Sequence, residues 1–313
     1  MPGSEGHRSN RKRAFRTEGG VAVPSVTADQ MREVDRLAVD EFGLGLLQMM
    51  ENAGRNLAAN ARAMLGEHPA AVTLLAGSGG NGGGGLCCAR HLHNRGYPVK
   101  VILDRERETL RGAAQAQLRI LEAAGVRPLA PSADVNDALR AAEIVVDALI
   151  GYGLRGVPDG RTGELIKLCN RHAGRVLALD VPSGLDATTG ATAGPVIRAE
   201  RILALAQPKT GLAGGGGELY LSPATAVPGS RWRHPVPLAV GCTVSSEAIA
   251  RLGYLRSVSR SIICLHRLPP QKSMSHRTHT PTSPTPRRIN PIHSILPPFF
   301  RWVAYSHPGL STR

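Results

Sequence analysis

The chain has 313 residues, 42% of them hydrophobic and only 4% aromatic, so one or two domains with an aliphatic core are expected. Its formal net charge of +14 belongs to the two ends, because residues 21–229 hold equal numbers of basic and acidic side chains. The charge therefore gives no argument for a nucleic-acid-binding fold, and we expect no nucleic-acid partner. No run of about 18 apolar residues exists, so no membrane-spanning helix and no membrane partner are expected.

The two ends differ from the middle in composition. Residues 1–23 are basic and lack the apolar stretch of a secretory signal, and residues 267–300 are dense in Pro, Ser, Thr, His and Arg. Such segments bury too little apolar surface to offset their chain entropy. We therefore predict a disordered basic arm over 1–23 and a disordered tail over 230–313, for which a readthrough or frame-shifted end is the alternative. A cytoplasmic location is favoured, with a mitochondrial transit peptide as the alternative.

Two helices are predicted before the first strand. Thr27 and Gln30 have the T-x-x-Q spacing of a capping box, and apolar residues recur at helical spacing from Met31 onwards. Glycines at 43 and 45 separate this helix from a second one, which is predicted over residues 46–65.

Strand and helix patterns then alternate. Strands are predicted at 71–76, 98–103, 144–149, 176–180 and 202–206, with a last edge strand at 218–221; helices are predicted at 86–94, 110–124 and 163–172. Strands separated by helices of this length indicate βαβ crossovers. The expected fold is thus a Rossmann-like α/β three-layer sandwich with a central, mostly parallel sheet and helices on both faces, spanning 24–229. Ligands of such sheets bind beyond the carboxyl ends of the strands.

A glycine-rich segment follows the first strand of this alternation. Gly77–Gly85 contains G-x-G-x-x-G as Gly77, Gly79 and Gly82, directly before a helical pattern. Glycine allows the close approach of a pyrophosphate, and the free N–H groups of the helix start would face it. A flexible linker is the alternative, but linkers seldom join a core strand to a helix.

Two further strands end in aspartates. Asp147 lies in V-D-A-L-I-G-Y-G-L, and Asp180 lies in L-A-L-D-V-P-S-G-L-D, where Ser183 follows. A carboxylate at the end of an apolar strand is costly to bury unless it is paired or bound to a cation. Together with Asn81, these oxygens would suit an alkali or alkaline-earth ion. In the alternative interpretation each aspartate caps a turn.

Other polar residues carry weaker signals. Lys209 follows the last apolar strand and could meet a phosphate or lie exposed; Asp104 stands where an ordinary Rossmann domain places its ribose-binding acid, or is a solvated loop acid. His91 and His93 are two apart on one predicted helix, so a shared metal is not expected. The cysteines form no C-x-x-C pair, and Cys87 and its neighbour are expected to be small buried residues.

Several ordered motifs together make the chain recognisable. It resembles the YjeF N-terminal domain family, the NAD(P)HX epimerases. The resemblance covers about 24–222 and is carried by MREVD at 31–35, MENAGR at 50–55, the glycine segment, VDALIGYGL at 146–154, LALDVPSGLDATTG at 177–190 and AQPKTGL at 206–212.

The resemblance implies a set of site residues. Contacts with the hydrated dinucleotide are implied for Gly80, Asn81, Gly82, Gly83, Gly84, Gly151, Tyr152, Gly153, Leu154, Arg155, Gly156, Val157 and Asp180. Potassium (K+) contacts are implied for Asn81, Asp147 and Ser183. The family's N-N-G-G-D segment departs here at two places, because its first Asn is Gly80 and its Asp is Gly84. The second change removes a hydrogen-bond acceptor and a negative charge beside the expected ligand.

The expected activity is epimerisation of NADHX and NADPHX, the hydrated forms of NADH and NADPH, with Asp180 as the group that shuttles the proton. A separate NAD(P)HX dehydratase is the expected pathway partner, and a homodimer stays open. An NAD-dependent dehydrogenase and a non-catalytic binding or scaffold module are the alternatives. A hydride-transfer assay with common substrates tests the first alternative. Turnover of the R epimer and dinucleotide binding by the core without its tails test the second.

Overall fold

A computed structural model describes residues 13–18, 20–66, 68–130, 133–222 and 236–242, with backbone alone for 13–14 and 236–242. Its helices are α1 (Ala28–Asp40), α2 (Leu46–Leu65), α3 (Gly80–His93), α4 (Gly112–Ala123), α5 (Val135–Arg140) and α6 (Gly160–His172). Its strands are β1 (Arg13–Thr17), β2 (Ala22–Val23), β3 (Val72–Ala76), β4 (Val99–Leu103), β5 (Ile144–Ala148), β6 (Val176–Leu179), β7 (Arg201–Leu205), β8 (Glu218–Ser222) and β9 (Val236–Cys242). Short 3-10 turns cover Arg107–Thr109 and Thr210–Gly214.

The described strands form one sheet in the order β2-β1-β9-β8-β7-β6-β5-β3-β4. The six strands from β8 to β4 are parallel, and the three outer strands pair antiparallel. The chain order reverses at β3, which has β4 on one side and β5 on the other. In open α/β sheets the crevice at such a switch point is the usual ligand site. The topology therefore brings the loops after β3, β5 and β6 to one edge.

Helices cover both faces of the sheet. One apolar cluster joins the sheet to α2, α3 and α4 through residues such as Leu57, Leu86 and Leu118. A second cluster joins the opposite face to α5 and α6 through Leu139 and Leu165. Parallel strands buried on both faces read as continuous apolar runs, which is what the sequence shows. The predicted three-layer α/β class is confirmed.

The first two helices agree with their sequence signals. Thr27 and Gln30 form the predicted capping box, in which each side chain accepts a hydrogen bond from the other residue's backbone N–H. The second helix has the predicted bounds, Leu46–Leu65. Cys87 and Cys88 are fully buried with free thiols, as expected of small core residues.

Helix α3 begins earlier than predicted, inside the glycine segment. It starts at Gly80 rather than at residue 86, and Gly82–Gly85 are buried. A Cβ on Gly83 would lie 2.5 Å from Met50 Sδ, and one on Gly85 would lie 2.5 Å from Ala148 Cβ. Glycine has poor helix propensity, so local sequence argued for a loop. Close packing of α3 against α2 and β5 outweighs that preference.

Three strands lie in or beside the ranges predicted to be disordered. β1 and β2 fall within 1–23, and β9 falls within 230–313. For these residues the prediction of disorder is wrong, because Phe15 of β1 is completely buried and β9 pairs with both β1 and β8. The strand at Glu218–Ser222 is consequently not an edge strand. The remaining residues of both ranges lie almost entirely outside the described part.

Within the described residues, no helix has both the length and the apolar character that crossing a bilayer requires.

Replacing Phe15 by alanine tests whether β1 belongs to the folded core. Phe15 is 0% exposed and packs among core residues of β6 and β7, so its truncation should lower the free energy of unfolding by roughly 3–5 kcal/mol. Urea denaturation measures this loss. Val21→Ala is the matched control, because Val21 is 56% exposed and should cost about 0.5 kcal/mol or less. Equal unfolding curves for the two variants would show that β1 adds nothing.

Candidate active site

A cavity of about 940 Å³ opens at the carboxyl ends of the parallel strands. Its walls are the start of α3, the loop after β5, the ends of β6 and β7, and one side each of α1 and α2. Its volume is that of a small-molecule site. The predicted site residues that line it are Gly80, Asn81, Gly151, Tyr152, Gly153, Leu154, Arg155, Val157 and Asp180.

Six residues named by the resemblance do not line the cavity. Gly82, Gly83 and Gly84 are buried within α3, and Asp147, Gly156 and Ser183 also lie off the wall. A Cβ on Gly84 would lie 3.1 Å from Leu179 Cδ2, so this position points into the packing below the cavity floor. Ligand contacts for these glycines stay predictions.

Asp180 ends β6 in an unusual backbone conformation. Its φ of 69° is in the left-handed region, and Val181 N–H donates to Leu179 O at 2.9 Å, which closes a very tight turn. Non-glycine residues occupy this region at a cost in free energy, and such residues concentrate at functional sites. The turn aims the carboxylate into the cavity wall.

The Asp180 carboxylate is held from several directions. Oδ1 accepts hydrogen bonds from the Lys209 ammonium and from Leu205 N–H at 3.1 Å. Oδ2 accepts from Tyr152 N–H at 3.2 Å. Asp180 is only 2% exposed, so these donors replace the water that the charge gave up.

The structure contradicts one of the two sequence interpretations of Lys209, that of an exposed lysine. It is 0% exposed, and its ammonium is bonded to Asp180 and to Leu205 O at 2.8 Å. It is therefore not a surface lysine, while its place in the cavity lining keeps the phosphate contact a prediction. The reason is its place in the fold: the chain after β7 turns back at Ala206, whose φ is 61°, and brings Lys209 under Asp180.

A second buried carboxylate lies beside the first. Asp147 is 0% exposed and accepts hydrogen bonds from Ser183 Oγ at 2.6 Å, Ser183 N–H at 2.9 Å and Leu149 N–H at 3.2 Å. Ser183 Oγ also lies 3.1 Å from Ile150 O. Burial raises the pKa of Asp147 to about 6, because these dipoles lower it less than desolvation raises it.

Asn81 occupies the first turn of α3, above the switch point. Its Nδ2 is buried and has no hydrogen-bond partner among the described residues. A Cβ on Gly151 would lie 2.9 Å from Asn81 Oδ1 and 3.2 Å from Asp180 Oδ2. Glycine at 151 thus lets the loop after β5 fit between these two polar groups. An unpaired buried amide is expensive, and it points to a missing partner.

Tyr152 and Asp35 form a contact that sequence reasoning did not find. Tyr152 Oη donates to Asp35 Oδ2 at 2.5 Å, and Lys209 Nζ lies 5.6 Å from the centre of the Tyr152 ring. Burial raises the pKa of Asp35. This bond ties α1 to the loop after β5 across the cavity. The only sequence signal for Asp35 was its place in the MREVD segment. Helical spacing there cannot indicate a partner 117 residues away.

Asp104 ends β4 at the far side of the cavity. It is 7% exposed, accepts a hydrogen bond from Thr162 Oγ1 at 3.1 Å, and pairs with Arg105 at 3.2 Å. It is therefore not a solvated loop acid. Both it and Arg105 line the cavity, which leaves the ribose-binding interpretation open.

The Asp147 carboxyl should make stability depend on pH. Its pKa is raised from 3.8 to about 6 on folding, so the folded state holds its proton more tightly. The stabilisation is complete below pH 4 and is lost as the pH rises through 6, by about 3 kcal/mol in total. The Asn side chain in Asp147→Asn does not titrate, so the free energy of unfolding of the wild type minus that of the variant isolates the effect. Urea unfolding with choline chloride as the only salt measures both. Parallel curves for both proteins between pH 4 and pH 7 would contradict it.

Comparison with known proteins places the fold. A yeast protein, ynu0, has a crystal structure that matches with a TM-score of 0.59 and 24% sequence identity, covering 64% of this chain and 88% of that chain. At this identity the match speaks for the fold alone.

Sequence relatives carry functional names. This chain is 50% identical over 200 residues to an NAD(P)H-hydrate epimerase from Dehalogenimonas lykanthroporepellens, covering 63% of this chain and 80% of that one. It is 36% identical to an NAD(P)H-hydrate epimerase from Rhodopirellula baltica, covering 60% and 77%. It is also 36% identical to the bifunctional NAD(P)H-hydrate repair enzyme Nnr from Moorella thermoacetica, of which it covers only 37%.

The family described as YjeF-related protein N-terminus matches residues 46–211, more than half of the chain. That range contains α2, the glycine-rich start of α3, both buried carboxylates and Lys209. The protein is a member of the YjeF N-terminal family.

Proposed function

We propose that this protein is an NAD(P)H-hydrate epimerase, an isomerase that interconverts the R and S epimers of NADHX and NADPHX. The observation that carries the proposal is Asp180, a buried carboxylate held against Lys209 on the wall of the switch-point cavity. Two relatives of which the chain covers more than three quarters bear this name.

The substrate chemistry needs little more than proton transfer. The carbon beside the ring nitrogen bears both that nitrogen and a hydroxyl group, so its configuration inverts when the ring opens or when hydroxide leaves and water returns. A positioned carboxylate contributes roughly 10²–10⁴-fold to such a step. Asp180 is fixed by three donors, which suits a group that must meet one atom.

The residues present fit a potassium ion. The donor set is made of oxygens: the Asp147 carboxylate, Ser183 Oγ and Ile150 O lie together, and Asn81 would contribute its amide oxygen Oδ1. Hard oxygen ligands suit alkali and alkaline-earth ions. We propose that K+ joins the loops after β5 and β6 and offsets phosphate charge. It would also compensate the buried charge of Asp147, which has only dipoles around it.

Substrate contacts are proposed for the loop after β5 and for the start of α3. Gly151–Val157 contributes most of its residues to the cavity wall, and Gly80 and Asn81 present the positive end of α3. Phosphate oxygens are stabilised by free N–H groups at such a position. Cytoplasmic location, a homodimer and a separate dehydratase stay predictions.

The proposal predicts epimerase activity that responds to potassium. Purified protein incubated with the R epimer of NADHX or NADPHX should form the S epimer faster than buffer alone does. Chromatography measures the amount of each epimer. Asp180→Asn should slow turnover by at least about 100-fold. Full turnover by Asp180→Asn would exclude its role, and binding without turnover by the wild type would favour a non-catalytic module instead.

Replacing K+ by choline should lower both turnover and the melting temperature. Asp147→Asn should lose the response to K+, because a neutral amide gives the ion no charge compensation. Glu164→Gln on the surface of α6 is the control and should keep it. A melting temperature that is the same in K+ and in choline for the wild type would count against the ion.

A further inference from the structure

Lys209 is the buried lysine of the described chain. The other two described lysines, Lys100 and Lys167, are exposed, whereas the side chain of Lys209 is 1% exposed. Its ion-pair partner Asp180 is equally buried. Ion pairs of this kind seldom stabilise a fold more than apolar residues of the same size would. Stability alone therefore does not account for the pair.

The backbone around the pair is strained on both sides. Asp180 and Ala206 have φ values of 69° and 61°, the two left-handed non-glycine residues of the described chain. Each closes a turn with a hydrogen bond between residues two apart, at 2.9 Å and 2.6 Å. Both conformations cost folding free energy. The same two turns place the carboxylate and the ammonium in contact.

Both charged groups can reach a molecule in the cavity, because Asp180 and Lys209 belong to its wall. Oδ1 of Asp180 is taken by Lys209 and Leu205 N–H, while Oδ2 lies toward Gly151, where the missing side chain leaves space. The ammonium has three protons, and two acceptors are bonded to it. Each partner thus retains capacity for one more hydrogen bond.

We propose, on the basis of the proposed function, that Lys209 is a catalytic acid that works with Asp180 as one unit to open and reclose the substrate ring. Asp180 takes the proton of the substrate hydroxyl group, and the oxygen of that hydroxyl group becomes the oxygen of a carbonyl. The bond from that carbon to the ring nitrogen breaks, its electron pair goes to the nitrogen, and Lys209 gives the nitrogen a proton. Rotation of the carbonyl group exposes its other face, the nitrogen attacks it, and both protons return.

The environment favours this double transfer. During the open-ring stage the pair is a neutral carboxylic acid and a neutral amine, and in a site with little water such a pair costs less than separated charges. Because the carbonyl rotates, one acid–base pair on one wall serves both faces of the substrate. A route through departing water would need proton carriers on both faces.

Other ionisable groups surround the pair and must be considered in any pH profile. Asp35 of α1 and Tyr152 face Lys209, and Arg32 lies near Tyr152. Burial raises the pKa of Asp35, and burial together with Asp35 raises that of Tyr152. Variants of Lys209 itself, compared at fixed pH, avoid this overlap.

Two substitutions separate proton donation from charge. Lys209→Arg keeps the positive charge, but a guanidinium does not give up its proton in proteins. Lys209→Met removes the charge and keeps the length. We expect both to lower kcat for epimerisation by at least about 100-fold, with KM changed by less than about fivefold. Lys167→Met, exposed on α6, is the matched control and should equal the wild type.

Lys209→Ala allows a measurement that distinguishes proton donation from a structural role, namely the rescue of turnover by added amines. Added primary amines should restore part of its turnover, and the restored rate should vary with the basicity of the amine. Turnover of Lys209→Arg within about threefold of wild type would overturn the proposal, because charge alone would suffice. Rescue that ignores amine basicity would overturn it equally.

The unmodified protein gives a test that does not depend on a folded variant. In water enriched in oxygen-18, ring opening keeps the substrate oxygen, so the S epimer formed by the enzyme should carry no label beyond the buffer control. Uptake of one label per turnover would sink the inference while leaving the epimerase activity intact. A wild type without turnover would instead refute the proposed function.

Discussion

The buried contact between Asp180 and Lys209 is the interaction on which the cavity depends. Asp180 binds the loop after β5 through Tyr152 N–H and the end of β7 through Leu205 N–H. Lys209 closes the same group from below. If either charge were removed, the other would be left uncompensated away from water, which is far costlier than the pair itself. Three loops from distant parts of the chain therefore keep one arrangement.

The fold compensates the buried carboxylates of Asp180 and Asp147 in different ways. Asp180 has a cation in contact, whereas Asp147 has only hydroxyl and amide donors, and burial consequently raises the pKa of Asp147 to about 6. This difference supports the different roles proposed for them. A paired group can exchange protons with its partner, while a group surrounded by dipoles alone is suited to receive a metal cation.

The sequence predicted what local chemistry controls. The capping box at Thr27 and Gln30, the bounds of α2 and the burial of Cys87 all follow from patterns within a few residues. The ends of the strands could also be predicted from sequence. Because parallel strands end at one edge of a sheet, Asn81, Asp147, Asp180 and Ser183 were predicted to lie together. Of these, Asn81 and Asp180 flank Gly151, and Asp147 and Ser183 are bonded to each other.

What sequence could not predict were contacts set by tertiary packing. The burial of Lys209 depends on a left-handed turn at Ala206, which no residue preference announces. The bond from Tyr152 to Asp35 joins residues 117 apart. Likewise two of the five residues of β1 are arginines, and Phe15 is its single large apolar side chain. Its partner β9 is more than 200 residues away. The local sequence of neither segment predicts a strand, because each depends on pairing with the other.

The pairing of β1 with β9 has a consequence for how the chain is made. β1 is synthesised more than 200 residues before β9 and must wait for it before the backbone groups on that side are paired. Until then β8 presents an open edge, a template on which other nascent chains could assemble. A shortened product that ends before residue 236 would leave this edge of β8 unpaired, and an exposed strand edge is the kind of feature at which chains aggregate.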